Sequence, residues 1–317
     1  MKVKMFSLIL RAVLSLFNLL AFGFFICLLY FIDEENKYFF KWFLGNETSR
    51  LVYDRYRVSI FPAWWIRYLV YTLFAWQGLW MVFAVAILFK KKFPDALNFL
   101  FYVLFISSSG LEIAFIIFVS RNMILPACVA SFSAVSLKVF ALVLSYVKFE
   151  YEYEHEEHSL GDFWGFQLLI LNGLVGYVVV LWFNSLMWLS IVLNHRNGVP
   201  ELTTTTVSLT LAITSAIIWF ILENLVFLWI TRFTFSIYPV SIVTLTASLL
   251  ENWNPSSRNS IILAVLLGIV CLFFALHVIR VTFRLVRARR SYATRNAKRK
   301  AKNQKFLNSI EFMTTRF

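Results

Sequence analysis

The stretch Ile60 to Lys92, IFPAWWIRYLVYTLFAWQGLWMVFAVAILFKKK, decides what kind of molecule this is. Trp64, Trp65, Trp76 and Trp80 stand in it, with Arg67 and Gln77 the only strongly polar side chains ahead of Lys90-Lys91-Lys92. Water expels such a surface and lipid accepts it, and about 20 apolar residues cross the ~30 Å hydrocarbon layer of a bilayer. The run reads as a membrane-spanning helix that opens near Pro62 and closes at lysines of the kind that mark a cytosolic end.

The composition agrees. Of 317 residues, 60% are hydrophobic and only 15% charged, against about 25% charged in an ordinary soluble domain. One polytopic membrane domain over 1–283 follows, with no other stretch polar and long enough to fold separately. The formal net charge of +13 is concentrated after Phe283, at Arg284, Arg287, Arg289, Arg290, Arg295, Lys298, Arg299, Lys300, Lys302 and Lys305. Charge gathered in a tail, 284–317, argues against nucleic acid as a partner. It favours anionic lipid headgroups, which attract such clusters by roughly 1 kcal/mol per basic residue. Cys27, Cys128 and Cys271 each sit in an apolar run, so neither a disulfide framework nor a metal-ligand spacing is indicated, and no cofactor is expected.

Apolar runs bounded by charge, proline or loop residues predict an all-α bundle of eight spans, near 6–32, 60–89, 97–118, 124–147, 163–193, 203–228, 233–250 and 260–283. The first has a basic beginning at Lys2, Lys4 and Arg11 and an apolar segment too long for a cleaved signal sequence. An even number of crossings puts both termini on one side, and the lysine and arginine bias makes that side cytosolic. The loop Asp33–Ser59 then faces away from the cytosol. It holds the sequon Asn46-Glu47-Thr48, so Asn46 is a candidate glycosylation site and the secretory pathway, endoplasmic reticulum or plasma membrane, the expected location. The acidic segment Glu150–Asp162 includes His155 and His158, but three-residue spacing is not that of a His-Glu-x-x-His zinc helix, and a solvated loop is the expectation.

Ionisable residues inside spans cost about 2.5–3.5 kcal/mol each on insertion scales, so they face protein or a wet cavity. Arg67, Glu112, Lys138 and Glu223 qualify. Counting 1.5 Å per residue from each span's midpoint, Arg67 and Glu112 share a depth to within about 5 Å, and Lys138 and Glu223 to within about 8 Å. The expected cross-helix pairs are therefore Arg67 with Glu112 and Lys138 with Glu223. Asn172, Asn184 and Asn224 are expected to hydrogen-bond across helices. Trp42, Trp164, Trp229 and Trp253 fall near predicted interfaces, where amphipathic rings settle, whereas Trp76 and Trp80 lie deeper and share a helix face.

Phe61-Pro62-Ala63-Trp64-Trp65 followed by Trp76-Gln77-Gly78-Leu79-Trp80 resembles the opening and the Trp-Gln-x-Leu-Trp segment of the translocator protein family, or tryptophan-rich sensory proteins. Asn172-Gly173-Leu174 with Tyr177, and Trp219-Phe220-x-x-Glu223-Asn224, look like segments of multi-span animal relatives of that family. The resemblance implies a helical pocket for a tetrapyrrole or sterol, with Trp64, Trp65, Trp76 and Trp80 beside the ligand. No P-loop, dinucleotide turn or catalytic constellation is found, so an enzyme is not expected. A protein that binds or helps move a lipid-like molecule is the leading expectation. An accessory or scaffold subunit of a larger membrane complex is the alternative, and a receptor or channel a third.

Overall fold

The structure is a computed structural model that describes the backbone of residues 2–33, 49–87, 97–155, 160–225, 227, 231 and 233–314, and the side chains of 9–31, 51–87, 97–149, 151, 161–225, 227, 231 and 233–287. Asn46, Lys90–Lys92, Trp42, Trp229, the side chains of His155 and His158 and those of the tail beyond Arg287 lie outside the described residues. What is described is helical, without a strand. Contacts divide the chain into one unit, Met1–Cys271, and a second, Leu272–Phe317, which is helical as far as Thr314.

In order, the helices are α1 (Lys2–Asp33), α2 (Ser49–Arg55), α3 (Ile66–Ile87), α4 (Phe99–Ser120), α5 (Ile124–His155), α6 (Leu160–Gly165), a π-helical segment (Phe166–Leu171), α7 (Asn172–His195), α8 (Glu201–Leu225), α9 (Ile237–Asn252) and α10 (Arg258–Thr314). Among the described residues, seven helical stretches are long and apolar enough to cross a bilayer: Ile9–Phe31, Ile66–Ile87, Phe99–Ser120, Ile124–Phe149, Gly161–His195, Glu201–Leu225 and Arg258–Arg287. Their outer faces expose large apolar side chains such as Leu20 (72% exposed), which only lipid tolerates. The eighth expected span, 233–250, corresponds to α9, whose 16 residues extend only about 24 Å. Helix α3 begins at Ile66, not Ile60, because Pro62 interrupts the backbone and the Ala63 N–H donates to the Ala247 carbonyl (3.0 Å).

Local chemistry sets the helix ends. The Asn98 side chain accepts from the Phe101 N–H and caps α4. Asn122, at φ 59°, turns the chain between α4 and α5, a left-handed position that asparagine tolerates better than most residues. Gly198, at φ 68°, does the same between α7 and α8. Residues 56–63 clamp the helix ends at that side. Arg57 pairs with Glu251, Glu201 accepts from the Ser59 N–H (2.8 Å), and Asn252 donates to the Phe61 carbonyl (2.7 Å).

Helix α7 is the centre of the first unit, packed against α3, α5, α8 and α9. In lipid no hydrophobic force pulls helices together, so association rests on close packing and hydrogen bonds, and small residues let backbones approach. Gly173 and Gly176 have that role. A Cβ added at Gly173 would stand 3.0 Å from Trp76 Cδ1, and one at Gly176 3.1 Å from Leu73 Cδ2. Gln77 donates to the Gly173 carbonyl (2.8 Å), and the indole N–H of Trp80 donates to Gln77 Oε1 (2.7 Å). The Trp76-Gln77-x-x-Trp80 face thus locks α3 onto α7.

Gly173→Val is expected to overpack this contact and lower stability by about 1–3 kcal/mol. Thermal unfolding in detergent checks this, with Gly268→Val, in open space, as the neutral control.

Candidate functional site

Two buried polar clusters and a cavity lie along α7. In the first, Ser108 and Glu112 are one turn apart on α4 and face Lys138 of α5 and Tyr177 of α7. Lys138 is 2% exposed and Glu112 5%. The Lys138 ammonium pairs with Glu112 Oε1 and donates to Ser108 Oγ (3.1 Å), while the Tyr177 hydroxyl donates to Glu112 Oε2 (2.6 Å). Ser108 passes its own proton toward the Ala134 carbonyl (2.8 Å). Rings complete the enclosure, with Lys138 Nζ 4.4 Å from the centroid of Phe105 and 5.2 Å from that of Tyr177.

The pairing differs from the one expected. Lys138 meets Glu112 and not Glu223, and Arg67 does not reach Glu112. Glu112, Lys138 and Glu223 are buried as expected and Arg67 is not, and a shared depth does not give adjacency. The neighbours of α5 are α4 and α7, whereas α8, the bearer of Glu223, packs on α7; α3, the bearer of Arg67, packs on α1, α7 and α9. Arg67 lies on the exposed side of α3, where its Nε donates to the Trp64 carbonyl (3.0 Å) and its guanidinium stacks 5.1 Å from the Trp64 ring. Glu223 is buried and accepts from the Tyr238 hydroxyl.

The second cluster surrounds Asn172. Its Nδ2 donates to the carbonyls of Gln167 (2.8 Å) and Phe233 (2.9 Å), and its Oδ1 accepts from the N–H groups of Phe235 (2.8 Å) and Ser236 (3.1 Å). Ser236 Oγ returns a bond to the Asn172 carbonyl (2.7 Å). Asn172 lies eleven residues beyond Gly161, the start of its span, or roughly 16 Å along the helix. Irregular backbone is tolerated in hydrocarbon only when protein satisfies it. One side chain therefore holds the non-helical residues 233–236 inside the bundle. The π-helical segment immediately before Asn172 supplies Gln167, which with the Tyr146 hydroxyl surrounds Thr234 Oγ1.

The cavity follows from the packing. Helices α5 and α8 both flank α7 without packing on each other, and the gap is a space of about 110 Å³. Its back wall is buried: Leu142, Tyr146 and Val175. Its front is half-buried or exposed: Val139, Val143, Val179 and Trp219. The lining is apolar; the Trp219 indole N–H is buried and has no acceptor among the described residues.

The tryptophans of the Ile60–Lys92 stretch are elsewhere. Trp64 is 64% exposed and Trp65 half-buried. Trp76 lies on Gly173, and Trp80 is fully buried against Phe101 and Phe105. None of the four lines the cavity. No family model, curated protein or solved structure matches this chain.

Of the three amides, Asn172 and Asn184 bond across helices, the latter to Ser131 Oγ (3.3 Å), while Asn224 donates to the Phe220 carbonyl of its own helix (2.6 Å). Sequence reasoning missed Ser108, Tyr146, Gln167 and Tyr238 as cluster members. Their signal was present as hydroxyls and an amide within apolar runs, but such groups also bond to their own helix, as Ser109 does to Phe105.

Glu112→Gln leaves a buried ammonium without its counter-charge and is expected to lower stability by about 3–5 kcal/mol, whereas the double variant Glu112→Leu/Lys138→Met recovers more than half of that. Equilibrium unfolding of the three proteins measures the coupling. Equal losses in the single and double variants would show that the pair does not act as a unit.

Proposed function

We propose that this is a non-catalytic multi-pass membrane protein of the secretory pathway that binds or helps move a lipid-like hydrophobic small molecule. In this reading the chain crosses the bilayer eight times with both ends cytosolic, α9 and the buried residues 233–236 together forming the return leg of α8. The observation that carries the reading is the apolar cavity beside α7, backed by Leu142, Tyr146 and Val175 and open toward the lipid-facing side of α5 and α8. Concave apolar sites with a few polar groups at hand are where small molecules bind, and in helical bundles they lie between helices. The resemblance of the tryptophan run to the translocator protein family points the same way. The ligand, however, moves from Trp64, Trp65, Trp76 and Trp80 to the cavity, because those rings are turned to lipid or used in packing.

A second reading, a subunit of a larger membrane complex, is favoured by α10, which continues unbroken to Thr314 and carries the basic run on a helix. Basic residues in that position suit anionic headgroups or an acidic partner.

The two readings separate on purification. Mass spectrometry of the protein from mild detergent is expected to show a retained lipid-like molecule in near-stoichiometric amount. Val143→Phe, which fills the cavity, is expected to remove it with the unfolding temperature unchanged. A stoichiometric protein partner with no retained lipid would favour the subunit reading.

A further inference from the structure

We infer that the Ile66 end of α3 binds one glycerophospholipid of the surrounding leaflet, with its phosphate on Arg67 beside Trp64 and its ester carbonyls on the hydroxyls of Tyr68 and Tyr71. These residues are not among those that line the cavity beside α7, and the inference does not depend on that cavity.

Arg67 is the second residue of a span that begins at Ile66, and an ionised side chain set against hydrocarbon needs a counter-charge or a route to water. Two acids of the neighbouring helices are already engaged, Glu112 by Lys138 and Tyr177 and Glu251 by Arg57. Among the described residues no carboxylate pairs with Arg67, and its side chain is exposed.

Depth identifies the counter-charge. Helix α3 has 22 residues, or about 33 Å, close to the ~30 Å of the hydrocarbon layer. Its first turn therefore stands at the edge of that layer. The Arg67 side chain folds back by one turn, its Nε donating to the Trp64 carbonyl (3.0 Å) and its guanidinium lying 5.1 Å from the centroid of the Trp64 ring. Long basic side chains near a helix end carry their charge to the interface in this way. The level reached is that of the headgroups, where phosphate is the anion common to all glycerophospholipids.

The donor is set before a ligand arrives. With Nε committed to the backbone and the guanidinium held against the indole, Nη1 and Nη2 remain, and such an edge matches two phosphate oxygens at once. The Tyr68 ring stands edge-on to Trp64 at 6.0 Å and continues the aromatic surface. Residues 64, 67, 68 and 71 share one face of the helix, and Tyr68 and Tyr71 are each 59% exposed. Exposed phenols at the rim of the hydrocarbon find their acceptors in the ester carbonyls, which lie just below the phosphate. A sterol or a diacylglycerol offers the guanidinium no anion.

The test is native mass spectrometry of the full-length protein in mild detergent, titrated with dioleoyl phosphatidylcholine or with dioleoylglycerol, which has the same chains and esters and no phosphate. Phosphatidylcholine carries no net charge, so the basic tail does not attract it as it would an anionic lipid. One phosphatidylcholine adduct is expected, with dioleoylglycerol bound roughly tenfold more weakly or worse. Arg67→Gln and Arg67→Lys are each expected to weaken the adduct by about tenfold or more, the second because a lysine point charge lacks the fork. Since Arg67→Lys keeps the charge, its result stands even if the glutamine variant unfolds. The double variant Tyr68→Phe/Tyr71→Phe is expected to weaken it about fivefold. Lys148→Gln, which removes an exposed charge from α5, and Val143→Phe, which fills the cavity, are expected to leave it unchanged. Unfolding temperatures of the parent and Arg67→Lys are expected to agree. Equal binding of dioleoylglycerol, or parent-like binding by Arg67→Lys, overturns the phosphate assignment. Parent-like binding by the double tyrosine variant overturns the ester contacts. Displacement of the adduct by an equal concentration of glycerophosphocholine, which has no chains, overturns the lipid as occupant in favour of a free phosphate ester. An adduct lost in Val143→Phe and kept in both Arg67 variants overturns this site and leaves the cavity reading standing.

Discussion

A lysine ammonium and a glutamate carboxylate, removed from water and enclosed by three helices, set the terms on which this bundle holds together. Moving either ion alone into a medium of low dielectric has an idealised cost of order 20 kcal/mol, reduced to several by relaxation. The cluster offsets that cost by giving each carboxylate oxygen a donor. Glu112 takes Lys138 on one oxygen and Tyr177 on the other, and Lys138 adds Ser108 and the face of Phe105. Such an arrangement adds little net stability over a well-packed apolar core, but it penalises every alternative packing in which one charge is left unmatched. Helices α4, α5 and α7 are therefore fixed in rotation as well as in proximity.

The same logic runs along α7. From one end to the other it offers Asn172 to residues 233–236, the Gly173 carbonyl to Gln77, Tyr177 to Glu112, Trp182 to Ser215, Asn184 and Ser185 to Ser131, and Ser190 to Ser208. Each bond is worth about 0.6–2 kcal/mol in a membrane, and each goes to a different neighbour or a different level. Glycines 173 and 176 bring α3 and α9 close enough for these short polar groups to meet. A helix that serves four neighbours cannot let all of them also close on each other. The gap between α5 and α8 is the geometric remainder.

Much of the fold was legible because the bilayer imposes a simple rule. An apolar run such as Phe99–Ser120 has one solution in lipid, a helix, and its length follows from the layer. The exceptions also have physical causes. Residues 233–250 are apolar enough to be counted as a span, but Asn172, distant in sequence, satisfies three backbone groups of Phe233–Ser236 and delays the helix until Ile237. Glu112 and Lys138 were singled out correctly as residues that lipid would not tolerate, yet their partnership was not legible. The depth of a residue follows from counting along one helix, while its partner depends on which helices are neighbours and how each is rotated.

The sequence by itself determined the solvent, the helical class and the residues that had to be hidden from it, because these depend on transfer free energies that each segment carries alone. Only the tertiary structure decided that Trp76 and Trp80 pack against Gly173 and Phe105, that Lys138 faces Glu112, and that space remains beside Trp219. Those outcomes belong to pairs and triples of helices, and no single segment holds the information that selects among them.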